Sequence, residues 1–248
     1  MIKLEGVTLA FEDKLVLNDL YLEVLDGKIT ALIGLSGAGK STVLKVIMGF
    51  LQVQKGKVYV AGKDITKLNE RELNEIRKNM GLVFQHAALF DYMTCGDNVA
   101  FGLRRLKRLK EKEVQKKVRD TLKIVGLEGI EHLYPDEVSG GMRKRVGFAR
   151  AIAYEPKVLL YDEPTSGLDP IMTSVINNLI VKLNKELEVT TLVVTHDLAS
   201  VLKYAHKIAM LHNGKIIEEG SPQEFVASKK AYVRQFLEGR EEGPIKVL

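Results

Sequence analysis

Eight consecutive residues, Gly34-Leu35-Ser36-Gly37-Ala38-Gly39-Lys40-Ser41, have the spacing G-x-x-x-x-G-K-[S/T], which suits the binding of a polyphosphate. Glycines let the backbone curl so that successive N–H groups face an anion, and a helix starting near Gly39 adds its positive end. Lys40 then reaches the β- and γ-phosphates as a point charge, the Ser41 hydroxyl takes a position on Mg²⁺, and Thr42 follows in the same turn. A second chemical stretch is Lys157-Val158-Leu159-Leu160-Tyr161-Asp162-Glu163, an apolar run ending in two carboxylates. A strand buried on both faces delivers such acids at the carboxyl edge of a sheet, where open α/β sheets place their ligands. Asp162 suits the Mg²⁺ shell and Glu163 suits a base that polarises an attacking water. Another apolar run ends at His196-Asp197, and a histidine at that sheet edge can contact a γ-phosphate. Taken alone, the loop fits kinases, GTPases, helicases and transport ATPases equally.

The elements needed to position these groups are visible in the pattern. Residues 29–33 form a short apolar run suited to a buried strand, and residues 41–50 read as a helix with Val43, Leu44, Ile47 and Met48 on one side. Upstream, residues 2–10 and 20–24 alternate, and residues 56–60 continue an antiparallel layer that turns at Ala61-Gly62. Phe11 stands where an aromatic can stack on an adenine ring, although the pattern fits a core residue equally. Residues 69–78 read as a helix and residues 80–84 as a buried strand ending at Gln85.

From 86 to 154 the pattern is mostly helical, with Leu103, Leu106, Val114, Val118, Leu122 and Val125 spaced for one apolar side of two helices. The charged side over 104–119 is rich in Lys and Arg, as expected of a solvated helix face or of one that meets a partner or anionic lipid. After Pro156 the α/β order returns. Residues 170–187 read as a helix with Val175, Leu179, Leu183 and Leu187 aligned, 191–195 as a buried strand, and Asn213-Gly214 as a hairpin turn. Ser221-Pro222-Gln223-Glu224 combines a cap, a first-turn proline and a capping-box acid. The tail, 238–248, has little apolar content before Ile245 and reads as loose or bound to a partner.

The chain has 248 residues, 46% of them hydrophobic, ample for a sizeable core without staples. With 37 Lys and Arg against 32 Asp and Glu, its net charge of +5 permits anionic ligands or headgroups without demanding nucleic acid. The one cysteine, Cys95, excludes an internal disulfide, suits a reducing compartment and reads as a small core or interface residue. No apolar run approaches the roughly 20 residues that span a bilayer, so work at a membrane calls for another chain.

Val138-Ser139-Gly140-Gly141-Met142 narrows the choice, because it resembles the LSGGQ signature of ATP-binding cassette (ABC) ATPases and precedes the acid-ending strand at the usual distance. The resemblance covers nearly the whole chain. It implies an α/β fold, a P-loop NTPase of ABC type. A RecA-like core with an antiparallel β layer (1–85 and 155–237) would carry an inserted helical subdomain (86–154) and a tail (238–248). It also implies that Phe11 is the adenine-stacking aromatic and Gln85 the Q-loop glutamine, serving catalysis and Mg²⁺. Ser166-Gly167-Leu168-Asp169 would be the D-loop and His196 the switch histidine. Ser36, Gly37, Ala38 and their neighbours in the loop then hold ATP.

Ser139, Gly140 and Gly141 can form a second anion cradle at a helix start. In the family the signature of one subunit covers the γ-phosphate held by the other, which implies a homodimer with ATP sandwiched at both sites. Met142 in place of Gln, followed by Arg143-Lys144-Arg145, is similar to the Mla-type phospholipid-transport ATPases. That similarity implies permease partners in the inner membrane, an MCE-type lipid-binding protein, a place on the cytoplasmic face and no nucleic acid. An importer or exporter ATPase for another substrate is a competing reading, and a DNA-processing or translation ATPase of the same family is the runner-up from another class. DNA-processing members usually insert long coiled coils and translation members usually join two cassettes, and neither is seen here.

Overall fold

The computed structural model describes residues 2–12, 14–106 and 109–246. Lys107 and Arg108 of the basic run, and Val247 and Leu248 of the tail, lie outside the described residues. In chain order the strands and helices are β1 (Ile2–Phe11), β2 (Lys14–Val24), β3 (Ile29–Ile33), α1 (Lys40–Ile47), β4 (Lys55–Val60), β5 (Lys63–Asp64), α2 (Glu70–Arg77) and β6 (Met80–Val83). There follow α3 (Cys95–Leu106), α4 (Glu111–Ile124), α5 (Gly140–Ile152), β7 (Val158–Asp162), α6 (Pro170–Leu187), β8 (Thr190–Thr195), α7 (Leu198–Tyr204), β9 (Lys207–His212), β10 (Lys215–Gly220), α8 (Pro222–Ala227) and α9 (Ala231–Glu238). The chain divides into two compact units, Met1–Leu68 with Leu192–Leu248, and Asn69–Thr191. β8 runs across the division.

In the first unit β1 pairs antiparallel with β2 and with β4, giving a sheet in the order β2-β1-β4-β5. Ile2 and Leu4, then Val7 and Leu9, are buried, and a register shift between Leu4 and Val7 moves the alternation by one residue. A second sheet holds the buried strand β3 parallel to β9, and β9 antiparallel to β10. The β9–β10 turn has positive φ at Asn213 (47°) and Gly214 (73°), the conformation whose twist matches paired strands. Ala31, Ile33, Val201, Ile208, Met210, Phe225 and Val233 pack into one apolar cluster.

Ile245 joins that cluster, contrary to the expectation of a loose or partner-bound tail. The buried Gln235 of α9 holds it. Its Oε1 accepts from the Ile245 N–H at 2.7 Å and its Nε2 donates to the Ile245 carbonyl at 2.9 Å, as an added strand would.

In the second unit β6 and β7 are parallel neighbours, Met80 opposite Val158 through Val83 opposite Tyr161. α2 starts with a complete capping box between Asn69 and Glu72. Leu103, Val114, Val118, Leu122 and Val125 are buried as their spacing predicts, whereas Leu106, at the end of α3, is 40% exposed. On α6 the buried line is Ile176, Leu179, Ile180 and Leu183, and Val175 faces outward. A strict four-residue repeat drifts by about 40° per step on a helix of 3.6 residues per turn, so Val175 and Leu187 cannot both stay on the face of Leu179 and Leu183. Cys95 is buried at the start of α3.

Part of the basic run is internal structure. Arg104 pairs with Asp97 at 2.9 Å and with Glu111 at 2.7 Å, joining α3 to α4 and holding the Glu111 carboxyl down at about 2. Lys117 pairs with Glu155.

Gln235→Ala strips both partners from the backbone of Ile245 and leaves them buried, a loss on the order of 2 kcal/mol. A lower urea midpoint and rapid carboxypeptidase trimming of the tail are the expected results. A midpoint equal to the parent's would show that the tail adds no stability.

Candidate functional site

The phosphate-type loop grows out of β3, whose five side chains are all buried, so the first place this strand can meet a ligand is its carboxyl end. The turn there is tight. A β-carbon on Gly34 would lie 2.5 Å from the Leu211 carbonyl oxygen, so only glycine fits. The Ala38 N–H donates to the Leu35 carbonyl at 3.2 Å, and Gly39, with φ 99°, turns the chain into α1. Gly39 carries no side-chain acceptor for the N–H groups at the start of α1, and the first turn has no acid. The positive end of the helix dipole there favours an anion.

Lys40 is buried, and its Nζ donates to the carbonyls of Gly34 (2.9 Å) and Leu35 (3.0 Å), so the ammonium is folded back over the loop. This donor set fits a triphosphate. Among the described residues no three His, Cys, Asp or Glu side chains cluster. Mg²⁺ that arrives with phosphates takes one or two protein oxygens, and Ser41 and Asp162 are of the required kind.

In the same unit Phe11 ends β1 and is 45% exposed, so it is a surface aromatic rather than a core one. His196 is exposed at the end of β8. Asp197 beside it caps α7, accepting from the Ser200 N–H at 3.0 Å.

The other candidate residues lie in the second unit. β7 is buried up to Tyr161 and surfaces at Asp162, and Glu163 follows with a left-handed φ of 47°. The Ser166 N–H closes the turn on the Glu163 carbonyl at 3.1 Å. Gln85 reaches the same turn, donating from Nε2 to Ser166 Oγ at 3.1 Å, which leaves its amide oxygen for a cation or water. Asp169 caps α6, accepting at 2.9 Å from the N–H groups of Ile171 and Met172. Ser139 caps α5, accepting from the Met142 N–H at 3.3 Å, and a β-carbon on Gly140 would meet no atom within 4 Å. That helix start is open, as an anion cradle requires. An open cleft of about 420 Å³ is lined by Gln85, His86, Asp91, Pro135, Arg143 and Lys144.

Two residues of this neighbourhood escape motif reading. Lys144 donates from Nζ to the carbonyls of Pro164, at 3.1 Å, and Ser166, and Arg150 donates to those of Ala87 (2.7 Å) and Ala88 (2.6 Å). Burial pushes both cations below their ordinary pKa values. Their sequence signal is a cation at the edge of the apolar side of α5, which an overall reading as a basic cluster hides.

Comparison with known proteins follows the same lines. Residues 17–166 match the profile of the family described as ABC transporter. The chain is 42% identical over 246 residues to the intermembrane phospholipid transport system ATP-binding protein MlaF of Haemophilus influenzae, covering 99% of this chain and 93% of that protein. It is 39% identical over 244 residues to the probable ribonucleotide transport ATP-binding protein of Mycobacterium leprae, covering 98% of this chain and 70% of the relative. Among solved structures it is similar to an ATP-binding cassette captured as a dimer in a post-hydrolysis state with ADP and Pi. There the TM-score is 0.82 at 32% identity, over 90% of this chain and 99% of that one.

The base of β3 carries a pH-sensitive fastening. His206 Nδ1 accepts from the Ile29 N–H at 3.0 Å, and the backbone N–H of His206 donates to the Ile29 carbonyl at 2.8 Å. Burial, and then the nearby Lys28 ammonium, push the imidazole below its ordinary value. The unfolded chain therefore takes the proton first. The stability from this group is full above about pH 6.5 and is lost as pH falls through the depressed folded value. Urea midpoints should fall between pH 7.5 and 5.5, and the fall should be smaller in His206→Gln. Equal slopes in the two proteins would remove His206 from the account.

Proposed function

We propose that this chain, which belongs to the ABC transporter family of ATPases, drives the movement of phospholipid through a separate membrane permease. The chain binds ATP with Mg²⁺ and hydrolyses it, and that hydrolysis is coupled to transport. The observation that carries the lipid reading is the 42% identity, sustained over 99% of the chain, to a protein named for intermembrane phospholipid transport. The relative named for ribonucleotide transport, at 39%, supports a second reading with a nucleotide cargo. The greater identity, the Met142 signature and the near-equal length favour lipid.

In this reading Gly34, Ser36, Gly37, Ala38 and Gly39 present backbone N–H groups to the phosphates, Lys40 neutralises the β- and γ-oxygens, and Phe11 stacks on the base. Bound Mg²⁺ supplies charge neutralisation on the phosphates, Ser41, Gln85 and Asp162 are the residues that would attend it, and Thr42 serves the nucleotide with the rest of the loop. Glu163 accepts the proton of the attacking water at a carboxylate oxygen, and His196 donates to the γ-phosphate. Ser139, Gly140 and Gly141 serve the nucleotide of a second copy, and Asp169 belongs to the same dimer contact. The dimer works on the cytoplasmic face of the inner membrane with permease subunits and an MCE-type lipid-binding protein. Among the described residues no helix is long and apolar enough to cross a membrane.

Glu163→Gln keeps the shape and loses the basic oxygen, so the rate should fall at least about a hundredfold with ATP binding retained. Lys40→Ala should instead weaken ATP binding itself. A near-parental rate in the first variant, or unchanged affinity in the second, would contradict the assigned role. Cargo is tested with the Glu163→Gln protein purified from its own membranes in the presence of ATP. A multi-span protein and bound phospholipid, identified by mass spectrometry, should accompany it. A permease carrying nucleotide without lipid would favour the second reading, and retention on DNA or ribosomes without a permease would overturn both.

A further inference from the structure

Lys144 stands in the second turn of α5, half buried, and both of its acceptors are backbone carbonyls on the turn that leaves β7 after Glu163. No acid shares it. Its hydrogen bonds therefore fix an orientation and neutralise no charge. The turn they grip is strained. Glu163 has φ 47°, a left-handed conformation that is unfavourable for a side-chain-bearing residue and persists where surroundings enforce it.

Hydrogen bonds made by Ser166, Gln85 and Lys144 enforce it here. The Ser166 N–H bonds back to the Glu163 carbonyl, Gln85 holds Ser166 Oγ, and Lys144 holds the carbonyls of Pro164 and Ser166. The same helix steadies a second strained segment. Ala87 (φ 60°) and Ala88 (φ 48°), two and three residues after Gln85, accept a forked pair of hydrogen bonds from Arg150. One helix thus holds the Gln85 loop with one cation and the Glu163 turn with another.

We infer that Lys144 is a positioning residue for hydrolysis, fixing from α5 the turn that aims the Glu163 carboxylate and its distance from the Gln85 loop. The inference rests on the reading of Glu163 as the base. Lys144→Met removes the donors while keeping length. The turn retains its internal hydrogen bond and its bond to Gln85, and the phosphate loop is untouched, so nucleotide affinity stays. The carboxylate loses its aim, and small misplacements of reacting groups are costly in rate.

Steady-state ATPase of the full chain with Mg²⁺ and melting temperature are measured for the parent, Lys144→Met, Lys144→Arg and Glu163→Gln. Lys144→Met should lower kcat about tenfold with KM for ATP within about twofold of the parent and a melting temperature within a few degrees. Lys144→Arg, which still donates to both carbonyls, should recover at least about half of the parental kcat. A Lys144→Met rate within about twofold of the parent, beside an inactive Glu163→Gln, overturns the positioning role and leaves the base intact. Equal losses in the Met and Arg variants, or a loss carried by KM, also overturn it. An active Glu163→Gln overturns the base reading, and the positioning role with it. If Lys144→Met melts far below the parent, Lys144→Gln is judged by the same criteria.

Discussion

A strand buried on both faces can offer chemistry only where it surfaces, and this constraint places most of the reactive groups in both units. Ile29 to Ile33 of β3 are fully buried, as are Leu192 to Val194 of β8 and Leu159 to Tyr161 of β7. Each strand is held by apolar burial worth roughly 25 cal/mol per Å² removed from water. Each then ends in a group that water or phosphate can reach, the Gly34 loop after β3, His196 after β8 and Asp162-Glu163 after β7. The core thus fixes the positions, and the turns need only fix orientation.

That division explains what could be read from the chain alone. The strands feeding the loop and carrying the acids are short apolar runs bounded by glycine, proline or charge, and their limits fall within a residue or two of expectation. The capping box at Ser221 and the Asn213-Gly214 turn are local chemistry, so they too were legible. The docked tail was not. It depends on Gln235, a polar side chain whose burial beside Ile245 is a tertiary fact ten residues distant. Val175 and Leu106 fail for another reason. A helix face is set by what packs on it, and a four-residue repeat carries no information about its end.

The basic stretches show the same limit in electrostatic form. Arg104, Lys117, Lys144 and Arg150 all read as surface charge in a list of residues. In the structure two make ion pairs with acids and two donate to backbone carbonyls in the half-buried interior. A carbonyl partner leaves no trace in sequence, since every residue has one. Acids at matching spacing, such as Asp97 and Glu111 on either side of Arg104, are the kind of signal that can be searched for.

The phosphate-type loop and the turn after β7 deal with backbone strain in different ways, and the difference follows from which atoms each presents. In the Gly34–Ser41 loop the working groups are backbone N–H donors, so glycine can take the left-handed positions at Gly37 and Gly39 without a steric penalty. At Glu163 the group proposed to work is a side chain. Glycine there would relieve the strain and remove the carboxylate proposed as the base, so on that reading the penalty stays and must be offset from outside. Ala87 obeys a milder form of the same rule. It carries no reacting group, but its buried methyl packs over Gly147 of α5, where a β-carbon would lie 3.3 Å away, so a side chain is needed for packing. At these two left-handed turns a donor from α5 stands against the backbone, Arg150 at Ala87 and Lys144 beside Glu163. Where glycine suffices, the loop closes on itself through Lys40 and the hydrogen bond from Ala38 to Leu35.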